Sequence, residues 1–230
     1  MLTINSMKKK SIPLQSFLIT LDIFKVLPSE ELKQLENHSV QKEFLKGYPI
    51  LWEGDSADYV WFVKEGHVKS VVHMPNGKIF TTCWLQSKSM FGTCCDLKGN
   101  RYGCHAIAAS HVTVVGFPRQ EFLNLMERFP KMTQAIVGLL SKKLKVSKER
   151  LALDQEKVER KILRLLIELS DEFGTTIPLT RREISEILGV TVETCIRVFS
   201  KLEKQELLTS SRGKIHIIDL SKLNGFLTTV

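Results

Sequence analysis

The sequence is short of cysteine and has no long apolar run, and both absences narrow what it can be. Five cysteines in 230 residues, Cys83, Cys94, Cys95, Cys104 and Cys195, form an odd set without a C-x-x-C. A disulfide framework is therefore not expected, and no metal centre is assigned. No uninterrupted apolar stretch reaches the roughly 18 residues of a membrane span, so a membrane partner is not expected. Lys8-Lys9-Lys10 is followed by a segment broken by Pro13, Gln15 and Asp22. This is not the pattern of a secretory signal, and a cytoplasmic location is the expectation. The chain also lacks a phosphate loop, a nucleophile-triad spacing and a paired-carboxylate motif, so catalysis is not expected.

What is present is the composition of a folded chain, with 43% hydrophobic residues, and a net charge of +8 that suits a polyanionic partner. The charge is uneven. Between Lys142 and Arg164 the cations Lys142, Lys143, Lys145, Lys148, Arg150, Lys157, Arg160, Lys161 and Arg164 outnumber the acids, and Arg181-Arg182 follows. Solvated faces of long helices account for part of this excess.

From about Phe44 to Phe117, β-branched and aromatic residues alternate with turn signals such as Lys46-Gly47, Glu53-Gly54-Asp55, Glu65-Gly66, Pro75-Asn76-Gly77 and Lys98-Gly99-Asn100. Strands are expected over Pro49–Trp52, Tyr59–Val63, Val68–His73, Ile79–Leu85 and Val112–Phe117, in an antiparallel sandwich or barrel. Asn76-Gly77 is the sharpest hairpin signal, because those residues tolerate positive φ best.

The pattern then turns helical. One helix is expected over Glu121–Arg128, and a long amphipathic one runs from Phe129-Pro130 to about Leu153. Its apolar positions Met132, Ile136, Leu139, Leu140, Leu144, Val146 and Leu151 recur mostly at steps of three and four. Such a stripe suits a helix that pairs with its own copy, or one that lies on the β domain of the same chain. Asp154 is expected to cap a further helix that ends at Phe173-Gly174. The chain thus divides into 1–129, 130–153 and 154–230.

The most specific signal lies between Leu179 and Leu208. Thr180 and Glu183 form a T-x-x-E capping box, and Ile184, Ile187 and Leu188 give a short helix its apolar face. Gly189 turns the chain, and Thr191 caps a second helix from Val192 to about Lys204, with Ile196, Phe199 and Leu202 buried. A hairpin turning at Ser211-Arg212-Gly213 completes a winged helix-turn-helix. The expected partner of such an element is double-stranded DNA. Val192, Glu193, Ile196 and Arg197 share the outward face at i, i+1, i+4 and i+5, so Ile196 falls in both sets. Arg197 suits O6 and N7 of guanine and Glu193 the N4 amine of cytosine. Thr180, Arg181, Thr191 and Thr194 suit phosphates. A surface ion pair between Glu193 and Arg197 is the bland alternative.

From Leu179 to Arg197 the residues resemble the family of the cyclic-AMP receptor protein and the fumarate-nitrate reductase regulator (CRP/FNR). Glu53-Gly54-Asp55 and Val63-Lys64-Glu65-Gly66 resemble its β-roll, and Met90-Phe91-Gly92 the start of its effector cassette. The resemblance covers about Phe24 to Leu223. It implies an α+β protein: an N-terminal β-roll of the cyclic-nucleotide-binding jelly-roll type with flanking helices, a long dimerisation helix and a C-terminal winged helix-turn-helix. It also implies a homodimer, a palindromic site with TTGA-like half-sites, and RNA polymerase as a further partner. Ile196 stands where the FNR branch has a serine touching thymine.

The effector side departs from the family's two familiar patterns. Cyclic-nucleotide binders carry a glutamate after the cassette glycine and an Arg-Ser pair, whereas here Thr93 follows Gly92 and the pair is Tyr102-Gly103, with Arg101 one residue away. No cysteine precedes Cys83, so the iron–sulfur cluster of the FNR branch is not expected. The effector pocket is assigned to Phe91, Gly92, Thr93, Arg101, Tyr102 and Gly103, with its small-molecule effector and any cofactor unknown. Cys94, Cys95, Cys104 and His105 read as redox thiols, as metal or haem ligands, or as core residues. Adjacent Cys94 and Cys95 do not suit a mutual disulfide, because consecutive strand side chains point to opposite faces. A ligand-binding or thiol redox-sensing protein with a secondary DNA role is the alternative.

Overall fold

A computed structural model describes residues 13–73, 79–92, 100–152 and 156–229. The chain forms two compact units. One is built from the described residues of Met1–Ser70 and Trp84–Lys143, the other from those of Val71–Cys83 and Leu144–Val230. Pro75, Asn76 and Gly77, Thr93, Cys94 and Cys95, and Asp154 were all assigned roles above and lie outside the described residues.

The first unit opens with two short helices, α1 (Leu14–Leu18) and α2 (Ser29–Asn37), which the sequence reading did not resolve. Eight strands follow along the chain among the described residues: β1 (Val40–Phe44), β2 (Pro49–Leu51), β3 (Tyr59–Glu65), β4 (Val68–His73), β5 (Ile79–Leu85), β6 (Met90–Phe91), β7 (His105–Ala108) and β8 (Val112–Pro118), of which β4 from Val71 and β5 up to Cys83 belong to the second unit. They form two four-stranded sheets with the orders β1-β8-β3-β6 and β2-β7-β4-β5, the expected jelly-roll type of sandwich. Helices α3 (Arg119–Arg128) and α4 (Pro130–Ala152) come next.

β3 and β8 are buried along nearly their whole length rather than on alternate residues, because one face meets the opposite sheet and the other meets helices. On the helical face Phe24, Phe62, Phe117 and Phe122 form an aromatic knot with ring centroids 5.4–6.3 Å apart, in tilted and edge-on arrangements that suit aromatic quadrupoles. Met132 and Ile136 of α4 are fully buried in the same core, and Leu139 and Leu140 pack partly against it. The first half of the α4 stripe therefore serves this chain's own β domain. Val137 and Leu144, one heptad apart, are each 56% exposed.

In the second unit α5 (Val158–Phe173) buries Ile162, Leu163, Leu166 and Leu169. Its N-cap residue is Lys157, in a non-helical conformation, so a helix capped by Asp154 is corrected: the extended backbone at Lys157 interrupts any helix begun earlier. Gly174 ends α5 at positive φ as expected. Next come β9 (Thr176–Ile177), α6 (Arg181–Leu188), α7 (Val192–Lys204), β10 (Leu208–Ser211), β11 (Lys214–Ile217) and α8 (Leu220–Thr229), with the strands ordered β10-β11-β9. Ser211 pairs with Lys214, leaving Arg212-Gly213 as a two-residue wing turn.

The aromatic knot gives a direct test of the first core. Phe117→Ala is expected to lower unfolding stability in urea by about 3–5 kcal/mol. Ile19→Ala, at a residue 55% exposed, should change it by no more than about 0.5 kcal/mol.

Candidate nucleic-acid interface and effector cradle

Local chemistry fixes the start of α6 and both ends of the turn that joins it to α7. The Thr180 hydroxyl accepts from the Glu183 amide at 3.1 Å, and the Glu183 carboxylate accepts from the Thr180 amide at 2.7 Å and from its hydroxyl at 2.8 Å. The capping box is thus complete. Gly189 adopts φ 65°, ψ 24°, a left-handed conformation that favours glycine. The Thr191 hydroxyl then accepts from the Thr194 amide at 3.2 Å and donates to the Thr194 hydroxyl at 3.0 Å.

α7 is held from behind by Cys195, Val198, Phe199 and Leu202, all buried. Ile196 is 43% exposed while Cys195 is fully buried, which corrects the expectation that Ile196 is buried. The inward stripe runs 195, 198, 199, 202, and residue 196 lies about 100° away from 195 around the helix. Glu193, Ile196 and Arg197 face outward and Val192 is half-buried. Among the described residues neither Glu193 nor Arg197 takes part in an ion pair. Burial pushes the Cys195 thiol up to about 11, against a smaller opposing effect of Arg181, and its Sγ donates to the Arg181 carbonyl at 3.2 Å.

The remaining cations near α7 differ in availability. Arg182 meets Glu186 at 3.3 Å, while Arg212 and Lys214 stand exposed on the wing. Arg181 is turned inward: Nη2 donates to Glu203 Oε1 at 2.8 Å and Nε to Ser210 Oγ at 3.4 Å. Its guanidinium also lies 5.8 Å from the Phe199 ring centroid.

In the first unit the cassette residues gather around an indole that the sequence reading did not single out. Trp61 is opposite both Phe91 and Gly116 in the sheet register. A Cβ on Gly116 would lie 2.8 Å from the indole, and one on Gly92, at φ 85°, would lie 3.2 Å from it and 3.1 Å from the Tyr102 ring. The Tyr102 hydroxyl accepts from Trp61 Nε1 at 3.0 Å and donates to the Tyr59 carbonyl at 3.2 Å. Tyr102 is 6% exposed, and desolvation raises its pKa. Arg101 instead points to solvent and donates to the Gly54 carbonyl at 2.5 Å, and Gly103 is exposed. Of the expected pocket residues, Gly92 and Tyr102 therefore meet around Trp61, with Phe91 buried beside it in the sheet, and Arg101 does not. The Cys104 thiol accepts from the Ser70 hydroxyl at 2.9 Å. His105 accepts from the Glu53 amide at 3.3 Å and stands edge-on to Trp52.

Comparison with known proteins agrees with both halves. A model of the cyclic nucleotide-binding domain matches residues 41–129, and one of the Crp-like helix-turn-helix domain matches residues 160–226. The chain belongs to the CRP/FNR family of transcription regulators. It is 26% identical to the nitrogen fixation regulation protein FixK of Bradyrhizobium diazoefficiens, over 86% of each chain. It is also 26% identical to the fumarate and nitrate reduction regulatory protein of Vibrio cholerae, over 86% of this chain and 82% of that one. The solved structure of FixK2 from Bradyrhizobium japonicum shares the fold, with a TM-score of 0.74 at 20% identity, over 81% of this chain and 96% of that one. Among the described residues no helix is long and apolar enough to cross a membrane.

The matched domain's description implies a cyclic nucleotide. Among the described residues Tyr102 and Arg101 do not fit one, and the cation over the Trp61 ring is the exposed Lys42, with Nζ 5.4 Å from its centroid. The Tyr102 hydroxyl is already committed within its own chain, accepting from Trp61 and donating to Tyr59. A neutral phenol held in a desolvated site supplies no counter-charge to a phosphodiester. Arg101 faces solvent. Cyclic AMP added to the purified protein is therefore expected to give no calorimetric binding signal and no change in tryptophan fluorescence.

The Cys195 thiol supplies a second test. Its raised pKa keeps it protonated in the folded state well above the unfolded value of about 8.5, so its contribution to stability is full below that pH and is lost as pH rises through about 11. Iodoacetamide at pH ~8.5 should leave Cys195 unmodified in the native protein and alkylate it in denaturant, as peptide mass mapping would read.

Proposed function

We propose that this regulator acts as a homodimer that reads a palindrome of TTGA-like half-sites, one α7 helix per half-site, under control of an effector or redox signal received in the β-roll. The observation that carries this reading is the bare outward face of α7. Arg197 and Glu193 are exposed, free of any mutual ion pair, and carried on a helix whose other face is locked into the core. An arginine in that state can donate two hydrogen bonds to a guanine edge and a carboxylate can accept from cytosine. Thr191 and Thr194 at the start of α7, and Thr180 at the start of α6, lie where phosphates fix register, as do the wing cations.

The dimer is supported by α4. Gln134, Val137, Gly138, Ser141, Leu144, Lys145 and Lys148 are all exposed, and Val137, Gly138, Ser141 and Leu144 follow steps of one, three and three along one side. Small residues at 138 and 141 let a second helix approach closely, and Val137 and Leu144 supply apolar contacts at heptad spacing. A homodimer that reads a palindrome brings two copies of α7 to successive major grooves, about 34 Å apart. RNA polymerase is then the partner through which binding affects transcription.

A gel-shift titration on a TTGA palindrome tests the reader. Loss of a bidentate base contact costs about 1–3 kcal/mol, so Arg197→Ala should weaken binding by roughly 5- to 150-fold and relax preference at the guanine it faces. Equal affinity of wild type and variant would sink the assignment.

A further inference from the structure

We infer that Arg181 is not a phosphate contact but a positioning residue: with Glu203 and Ser210 it forms a clamp that holds the wing in register with the recognition helix. This rests on the reading of α7 given above. Three separate elements meet in the clamp. Arg181 opens α6, Glu203 lies in the last turn of α7, and Ser210 sits in β10 of the wing. Glu203 Oε1 accepts from Arg181 Nη2 at 2.8 Å and from the Ser210 hydroxyl at 2.6 Å, while Arg181 Nε reaches Ser210 Oγ at 3.4 Å. The Arg181 and Glu203 side chains are 31% and 28% exposed, so the pair is partly shielded from salt. The apolar face of the guanidinium rests toward Phe199, a fully buried residue of the α7 stripe.

The geometry separates this arginine from its neighbours. With Nη2 on a carboxylate and Nε on a hydroxyl, two of the five N–H donors of this guanidinium are held inside the protein, and swinging it out to grip a phosphate would cost it a charge-assisted bond. The exposed wing cations Arg212 and Lys214 pay no such cost, and the clamp decides where they stand. Ser210 pairs with Ile215 across the wing hairpin, so fixing Ser210 fixes the strand that carries Lys214 and the turn that carries Arg212. A rigid wing then adds its backbone contacts at the same register as α7, rather than searching for them after α7 has docked.

Charge alone predicts the opposite result for one variant, and the test uses that. Removing Glu203 takes a negative charge from a DNA-binding surface, which by electrostatics should tighten binding. The clamp predicts that Glu203→Ala weakens binding several-fold. Affinity is measured across a salt series for wild type, Arg181→Ala, Glu203→Ala and the double variant. Arg181→Ala should lose affinity without changing the slope of log K against log salt, and the double variant should be no weaker than the worse single one. A slope reduced by about 1 for Arg181→Ala, with Glu203→Ala binding as tightly as wild type or more so, overturns the clamp and restores a phosphate contact. Amide exchange in the absence of DNA separates the two readings. Faster exchange at β10 and β11 in both single variants supports the clamp even if the palindrome is not the target, and unchanged exchange in the wing of a folded variant refutes it.

Discussion

Helix α7 has to be held entirely from one side. A helix that is to enter a groove of DNA can use none of its outward side chains for its own support, so its position must come from the stripe of Cys195, Val198, Phe199 and Leu202 and from its two ends. The N-terminal end is fixed by the Thr191 cap and by the left-handed turn at Gly189. The C-terminal end is fixed by Glu203, which ties it to α6 and to the wing. Other features of the second unit follow from this demand. The capping box fixes where α6 begins, and α5 supplies the apolar floor beneath.

The β-roll solves a different problem. β3 and β8 lie between a helical layer and a second sheet, so they need bulk on both faces, and the phenylalanine knot supplies it on one. On the other face Trp61 fills the interior, and it fits because Gly116 and Gly92 leave room. Tyr102 completes this arrangement by accepting the indole proton. A polar group buried here is tolerated only because it is satisfied at both donor and acceptor, and the same satisfaction makes the cradle poor at receiving a charged ligand.

Much of this was legible in the residues. Strands Val68–His73 and Ile79–Leu85 were read with their observed limits, and the Thr180 box, the Gly189 turn and the Thr191 cap stand where short-range chemistry puts them. What was missed depends on distance or on ambiguity of pattern. The run Tyr59–Val63 is apolar throughout, so nothing in it says which residues face the second sheet, and the role of Trp61 stayed hidden. Cys195 and Ile196 are both apolar neighbours, and the more hydrophobic one was assigned to the core, although periodicity with Phe199 and Leu202 favours residue 195. Helices α1 and α2 are 5 and 9 residues long and bury few residues each, too short for a periodic pattern to stand out. The partner of Arg181 lies 22 residues along the chain, beyond the reach of any local rule, so the arginine resembled its exposed neighbour Arg182.

The contact between Gly116 and the Trp61 indole also sets an order on sequence change. With no room for even a methyl group at residue 116, no larger side chain can arise there while the indole remains, and a smaller residue at 61 must come first. That first step leaves a void walled by Leu51, Phe91 and the hydroxyl of Tyr102, at a cost in stability until it is refilled. Descendants of this regulator can therefore leave the filled state only through an intermediate with an empty, mostly apolar chamber. Such an intermediate is the point at which an apolar small molecule could take the place of the indole.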